Sequence, residues 1–261
     1  MRYVRIFLLF FEHVYQYRSR IFVWFLVSFI HPLIYLLFWS GRNSNSFINN
    51  VGAIDIRTYY LLYIIAGGFF VHVEEDARPD ILEGQLSMFL MKPFSYLRLK
   101  FFSELPWRLI QGSMGFIVLM FITAVLAIPL QIQLNATQII QVILISLLGY
   151  SILFLFKMII LISAFWTTDI SGLQQFMEML IIIFSGFIMP ISLLSESIAQ
   201  FIYATPFPYM IYYPVIAVLG VISLPDLFRI CIIQIFWIVA FYIFYTMLWH
   251  KGLRKYSAIG L

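Results

Sequence analysis

A chain of 261 residues with 63% apolar and 11% charged side chains, and a mean hydropathy of +0.97, has too little polar surface to cover a water-soluble globule. Its formal net charge of +4 comes from Lys and Arg scattered beside apolar runs rather than gathered in one patch, which argues against nucleic acid as a partner. The apolar runs are long and unbroken instead of alternating, so the expected fold is an all-α integral membrane protein in a single transmembrane domain over 1–261, not a barrel.

Taken in chain order, the first feature is polar at helical spacing. Arg2, Arg5, Glu12, Gln16 and Ser19 recur on one stripe, with Ile6, Leu9, Phe10, Val14 and Tyr17 elsewhere around the cylinder. This is the pattern of an amphipathic helix lying on the inner membrane surface over 1–20; a plain extension of the first span is the alternative. Six transmembrane helices are expected after it, at 21–40, 58–73, 105–128, 138–166, 174–189 and 227–249, each near the length of about 20 residues that crosses a bilayer core. The first begins near Ile21 and lacks a small-residue cleavage pattern behind it, so it is expected to be retained and not removed as a signal.

Basic residues set the orientation, because cytoplasmic flanks are enriched in them. Arg2, Arg5, Arg18 and Arg20 precede the first span, Arg78, Lys92, Arg98, Lys100 and Arg108 follow the second, and Lys251, Arg254 and Lys255 end the chain. These three regions share one side, which places both termini in the cytoplasm. Arg42, Arg57 and Arg229 fall to the other side.

The loop from Glu74 to Glu104 opens on the acidic run Glu74, Glu75, Asp76. Pro79 suits a first helical turn and Lys92 with Pro93 is a stop, which predicts one short amphipathic helix within 76–93. Asp80, Glu83 and Ser87 form its polar face against Ile81, Leu82, Leu86 and Leu90. Acidic residues disfavour anionic lipid, so the apolar side is expected in a groove of a protein partner.

Between the fourth and fifth spans, Thr167 to Gly172 reads as a tight cytoplasmic turn with Asp169 or Ser171 as helix N-cap. The segment 190–226 lies on the outer side yet is apolar and rich in proline, with Pro190, Pro206, Pro208, Pro214 and Pro225. Two short helices dipping into the outer leaflet and turning back fit this composition; a seventh span is the alternative, and it would strand the basic C-terminus outside.

The chemistry-bearing residues are sparse. No Gly-rich phosphate loop of the Gly-x-x-x-x-Gly-Lys-Ser/Thr type occurs, so the chain is not expected to hold ATP in the manner of motor ATPases. His13, His31, His72 and His250 stand in no metal-ligand spacing, Cys231 is single and inside an apolar run, and no catalytic or cofactor-binding residue is expected. Lys157 is the exception within the spans. It lies about 14 Å from the inner end of the fourth span and Glu178 about 8 Å into the fifth, at 1.5 Å per residue. Either the two pair across the helical hairpin, as a tie or an inner gate, or each snorkels to the surface separately.

Several stretches, in order along the chain, resemble the permeases of the type-2 ATP-binding-cassette exporter family. They are DILEGQLSMFLMKP from Asp80 to Pro93, AFWTTDISGLQQ from Ala164, SGFIMP from Ser185 to Pro190, and TPFPYMIYYPVIAVLG from Thr205 to Gly220. Relatives more often carry Arg where Lys92 precedes Pro93. The resemblance covers essentially the whole chain and implies a bacterial plasma-membrane half-transporter, two such permeases, identical or paired with a relative, above two separate ATPase subunits that hold ATP and magnesium. It implies that Pro79, Asp80, Glu83, Gly84, Leu86, Leu90 and Pro93 belong to a coupling helix seated in the ATPase, with Asp80 and Glu83 meeting basic residues there. It also implies that the hairpin carrying Pro190, Pro206, Phe207 and Pro214 is an outer gate. The aromatic richness and scarcity of mid-membrane charge point to a hydrophobic or amphipathic cargo such as a peptide, antibiotic or lipid-linked molecule. An ion-coupled secondary carrier is the main rival, disfavoured by the lack of inverted-repeat symmetry and of mid-membrane acids. A polytopic enzyme or assembly factor is the other.

Overall fold

The computed structural model describes residues 2–16, 23, 30, 32–38, 56–126, 132 and 135–256. All regular structure among them is helical. The expected first span at 21–40 and the loop carrying Arg42 fall largely outside the described residues, as do the side chains of Arg2, Gln16 and Ser19. Four stretches among the described residues are long and apolar enough to cross a membrane: Ile56–Leu82, Tyr96–Val125, Ala136–Phe165 and Leu224–Lys255.

The N-terminal helix α1 (Arg2–Gln16) packs along α6 (Tyr96–Leu126) while Leu8, Leu9 and Phe11 stay exposed. Helix α2 (Ile56–Gly68) also lies along α6. The approach is close because Gly68 has no side chain; a Cβ there would sit 2.8 Å from the Gln111 backbone. The helix ends at Gly68, earlier than the expected 58–73. Residues 69–72 leave the helix, and the chain restarts as α3 (Val73–Asp76).

The expected single helix within 76–93 is instead two pieces, α4 (Arg78–Leu82) and α5 (Leu86–Leu90). Gly84 separates them at φ 79°, a left-handed turn that side chains other than glycine rarely adopt. Helix α6 begins nine residues before the expected start at Leu105 and runs through Pro106 without ending. Membrane helices tolerate an internal proline when neighbours satisfy the freed carbonyl.

Helix α7 (Ala136–Ile162) is the hub, continued by a 3-10 turn, Ser163–Phe165. Asn135 and Gln138 form a capping box at its start. It packs along α12 (Leu224–Lys255), against α3, and against the short helices of the segment 190–226. Helix α8 (Ser171–Phe184) is 14 residues, shorter than the expected 174–189 and than a bilayer core. The chain just past its end is held from α2: Tyr63, Tyr59 and Tyr60 hydroxyls donate to the carbonyls of Ser185, Gly186 and Ile188 at 2.7, 2.7 and 2.6 Å. Gly186 turns the chain there at φ 79°.

The segment 190–226 holds a 3-10 turn at Ile191–Leu193 and three short helices, α9 (Glu196–Tyr203), α10 (Phe207–Met210) and α11 (Tyr212–Val218). Helices α10 and α11 are buried against α7, and α11 also reaches α2. Gly149 of α7 admits them, since a Cβ there would meet the Tyr209 and Met210 carbonyl oxygens at 2.8 and 2.9 Å. The Tyr209 carbonyl, freed by the break between α10 and α11, accepts from Gln234 Nε2 of α12 at 3.0 Å, and Gln234 also donates to the Ile145 carbonyl. Backbone this irregular survives in a membrane only where protein supplies such partners.

Candidate functional site

At one end of the bundle several helices converge on the stretch from Val73 to Pro93, and polar side chains do the tying. Glu74 of α3 and Lys157 of α7 are both fully buried and ion-paired with each other. Glu178 of α8 completes the group, its Oε1 2.8 Å from Lys157 Nζ, which also lies over the Phe70 ring at 5.1 Å. A buried ammonium demands such company, because an unpaired charge in a low-dielectric interior costs several kcal/mol, roughly, after relaxation. Glu74 Oε2 has no hydrogen-bond partner in this setting.

Glu74 was expected at the start of a surface loop, and its burial corrects that placement. After the break at 69–72, Glu74 is buried against α7 while Glu75 and Asp76 stay exposed. Two further bonds bind the same stretch to the α7–α8 hairpin. Gln174 Nε2 of α8 donates to Glu75 at 2.9 Å, and Arg78 of α4 donates to Asp169 at 2.7 Å. Asp169 in turn accepts from the backbone N–H and hydroxyl of Ser171, the first residue of α8, so it steadies that helix start from two residues away; Ile170 occupies the N-cap position. Ser171 and Arg78 hold the Asp169 carboxyl below the usual carboxylate range.

A second polar group sits beside the first. Arg108 of α6, almost fully buried, donates to Glu104 and Gln111 at 2.7 Å each, and the backbone N–H of His72 reaches Glu104 at 3.2 Å. The four-residue spacing of Glu104 and Arg108 on one helix is a signal the sequence carried openly. Glu74 had a weaker one: a lone lysine inside a span calls for every carboxylate within reach, and Glu74 lies one residue past the expected end of the second span.

The loop itself divides its residues between inside and outside. Asp80 is buried and held by Lys100 Nζ and the Tyr96 hydroxyl, each at 2.6 Å, and Tyr96 stacks on Trp249 of α12 with centroids 5.1 Å apart. Asp80 is therefore spent within the fold and is not free to meet a partner's basic residue, which corrects that expectation. Leu86 is also inside, at 0% exposure, whereas Met88 and Met91 stand at 53% and 80% with Leu90 beside them. Glu83 and Gln85 are exposed. Pro79, Gly84 and Pro93 shape the backbone: Pro79 in the first turn of α4, Gly84 at the break, and Pro93 just beyond α5.

At the other end, Pro190 precedes the 3-10 turn, Pro206 occupies the N-cap position of α10, and Pro214 sits within α11 against Gly149. Phe207 is buried between Phe184 of α8 and Phe156 of α7, at 5.8 Å from each ring. Among the described residues no group of His, Cys, Asp and Glu could hold a metal ion.

No curated protein matches this chain. A family model described as "ABC-2 family transporter protein" matches residues 22–260, nearly its whole length. With several apolar helices long enough for a bilayer, this multi-pass membrane protein belongs to the ABC-2 transporter family, whose members are the membrane components of ATP-binding-cassette transporters.

Proposed function

We propose that this protein is the permease half of an exporter in the plasma membrane of a bacterium, with both termini in the cytoplasm, working as a dimer with a second copy or a relative. Separate ATPase subunits bind ATP and magnesium and grip the loop 78–92 through Glu83, Gln85, Met88 and Met91. The observation that carries this reading is that this loop and the short helix α3 just before it are bonded to helices on several sides. Glu74 to Lys157, Glu75 to Gln174 and Arg78 to Asp169 link them to α7 and α8, while Asp80 to Lys100 and Tyr96 links them to α6 and, by stacking, to α12. A push on such a loop moves whole helices, because packed elements shift as rigid bodies instead of deforming gradually. Outward movement of α10 and α11, with Phe207 leaving its place between α7 and α8, would open the outer side. The cargo is hydrophobic or amphipathic.

The test is capture of a tagged candidate ATPase by the membrane-inserted chain. Met88→Asp and Glu83→Lys alter only exposed positions and should reduce capture at least tenfold while leaving expression unchanged. Capture at the unaltered level by both variants would overturn the assignment. Leu86→Asp is unsuited to this purpose, since it places a charge in the fold's interior.

One observation favours a second reading. The buried group Glu74, Lys157 and Glu178 is the kind of titratable cluster an ion-coupled carrier uses. Cargo movement by the protein alone in vesicles, driven by a proton or sodium gradient without any ATPase, would select that reading.

A further inference from the structure

Helices α6 and α7 do not pack along each other. Helix α6 lies on α2 and α7 on α12, and the two meet chiefly where Phe101 sets its ring edge-on to Tyr150 and Phe154, at 5.7 and 5.1 Å. Beside that contact lies a cavity of about 370 Å³ walled by α2, α6, α7, α10 and α11. Packed interiors leave few voids larger than a water molecule, and this one falls within the roughly 300–1,000 Å³ of small-ligand pockets.

The walls are almost wholly apolar. The rim residues Leu109, Ile143 and Leu147 are exposed on helices long enough to cross the bilayer, so the mouth faces hydrocarbon and not water. Three polar side chains interrupt the lining, and Ser146 is one of them. Arg108 is another, already neutralised by Glu104, and the third is Tyr150, whose hydroxyl is buried without a hydrogen-bond partner and lies within electrostatic reach of both Arg108 and Glu104. A hydroxyl buried in this way lacks what nearly all buried polar groups find.

Depth narrows the choice of partner. Tyr150 sits near the middle of α7, about 20 Å from either end at 1.5 Å per residue. The hydrocarbon core is about 30 Å thick, so phospholipid ester groups at its edge stay roughly 15 Å from its centre. A phospholipid tail could fill the cavity but would leave Tyr150 unanswered. A free single-chain amphiphile can bring its polar end inside, and an alcohol or protonated carboxyl adds no unpaired charge.

We infer that this cavity binds a single-chain amphiphile, a fatty acid or a molecule built like one, which enters from the bilayer between α6 and α7. Its chain lies against α2 and α11, and its polar end hydrogen-bonds to Tyr150 beside Arg108. The inference does not depend on ATPase coupling, because binding is read on the permease alone.

The experiment is photolabelling of the purified full chain in nanodiscs with palmitic acid carrying a diazirine and an alkyne, with the crosslinked peptides mapped by mass spectrometry. Labelling should concentrate on 105–109 and 142–150, fall at least fivefold under excess unlabelled palmitic acid, and fall severalfold in Tyr150→Phe. Ser146→Phe, which fills the cavity, should abolish it. Labelling of the outward face of α12 around Phe228 and Ile232 should persist in every variant and reports intact insertion. The inference is overturned if 142–150 label no more than α12, if excess palmitic acid does not compete, or if Tyr150→Phe labels like the parent. Equal, uncompeted labelling by phosphatidylcholine bearing the diazirine in its tail would also overturn it, by assigning the cavity to ordinary bilayer lipid.

Discussion

The two ends of the helix bundle are held by different chemistry. On the side of the loop 73–93 the ties are charged: Lys157 between Glu74 and Glu178, Arg108 with Glu104, Lys100 with Asp80, Arg78 with Asp169. On the side of the segment 190–226 they are neutral side chains on freed backbone carbonyls, the three tyrosines of α2 and Gln234 of α12, set among stacked aromatic rings. Charged ties act over a distance and exchange partners, which fits the proposed role of this end in receiving a push from an ATPase. Neutral bonds to backbone are local and hold one shape, which suits an end that must seal.

The sharpest way to break the contrast is at the charged end. Lys157→Met strands the buried Glu74 and removes the partner of the half-buried Glu178, and losing one partner of a buried ion pair costs about 3–5 kcal/mol. The thermal midpoint of the detergent-solubilised protein should drop strongly, and adding Glu74→Gln and Glu178→Gln should recover most of the loss. Failure of that triple variant to recover would mean that packing, not charge, holds the site. Because Glu74 is a third member, pairing Lys157→Met with Glu178→Met alone does not close the comparison.

At the neutral end the effects should be smaller. Gln234→Leu removes the donor from the Tyr209 and Ile145 carbonyls, and an orphaned buried acceptor costs about 1–3 kcal/mol. Its midpoint should fall by less than that of Lys157→Met; an equal fall would erase the distinction between the ends. Tyr60→Phe deletes one of the hydroxyls that hold the chain past α8, where interhelical hydrogen bonds in membranes average about 0.6 kcal/mol. A shift of a degree or two is expected. Last in stability, Arg78→Ala breaks an exposed pair and should leave the midpoint unchanged, because surface pairs are screened by water. Its expected effect is on coupling: ATP hydrolysis by the assembled complex continues while cargo transport falls. Transport at the parental rate would remove this tie from the proposed path of force.

How much of this was legible in the sequence varies residue by residue. The spans at 105–128, 138–166 and 227–249 stand out because apolar composition over about 20 residues is a local property, although α6 and α12 run several residues past those limits. Helix α8 is shorter than its apolar run suggests, and the chain just past its end is held by tyrosine hydroxyls from a helix more than 120 residues earlier. Lys157 and Glu178 were close enough in the chain to be considered together. Glu74, 83 residues away from Lys157, was not, because it sits in a stretch whose polarity reads as surface loop. Asp80 and Leu86 occupy helical positions that look available to a partner, and only the fold turns them inward against Lys100, Tyr96 and the core.

Composition and hydropathy by themselves determined that the chain is a multi-pass, all-α membrane protein. This follows from transfer free energies summed along neighbouring residues, which need no knowledge of contacts. Tertiary structure alone decided where each helix stops, which carboxylates share Lys157, and which face of the loop is left for a partner. Each of those depends on a neighbour far away in the chain, because a buried charge or a freed carbonyl is stable only where the folded protein delivers its mate.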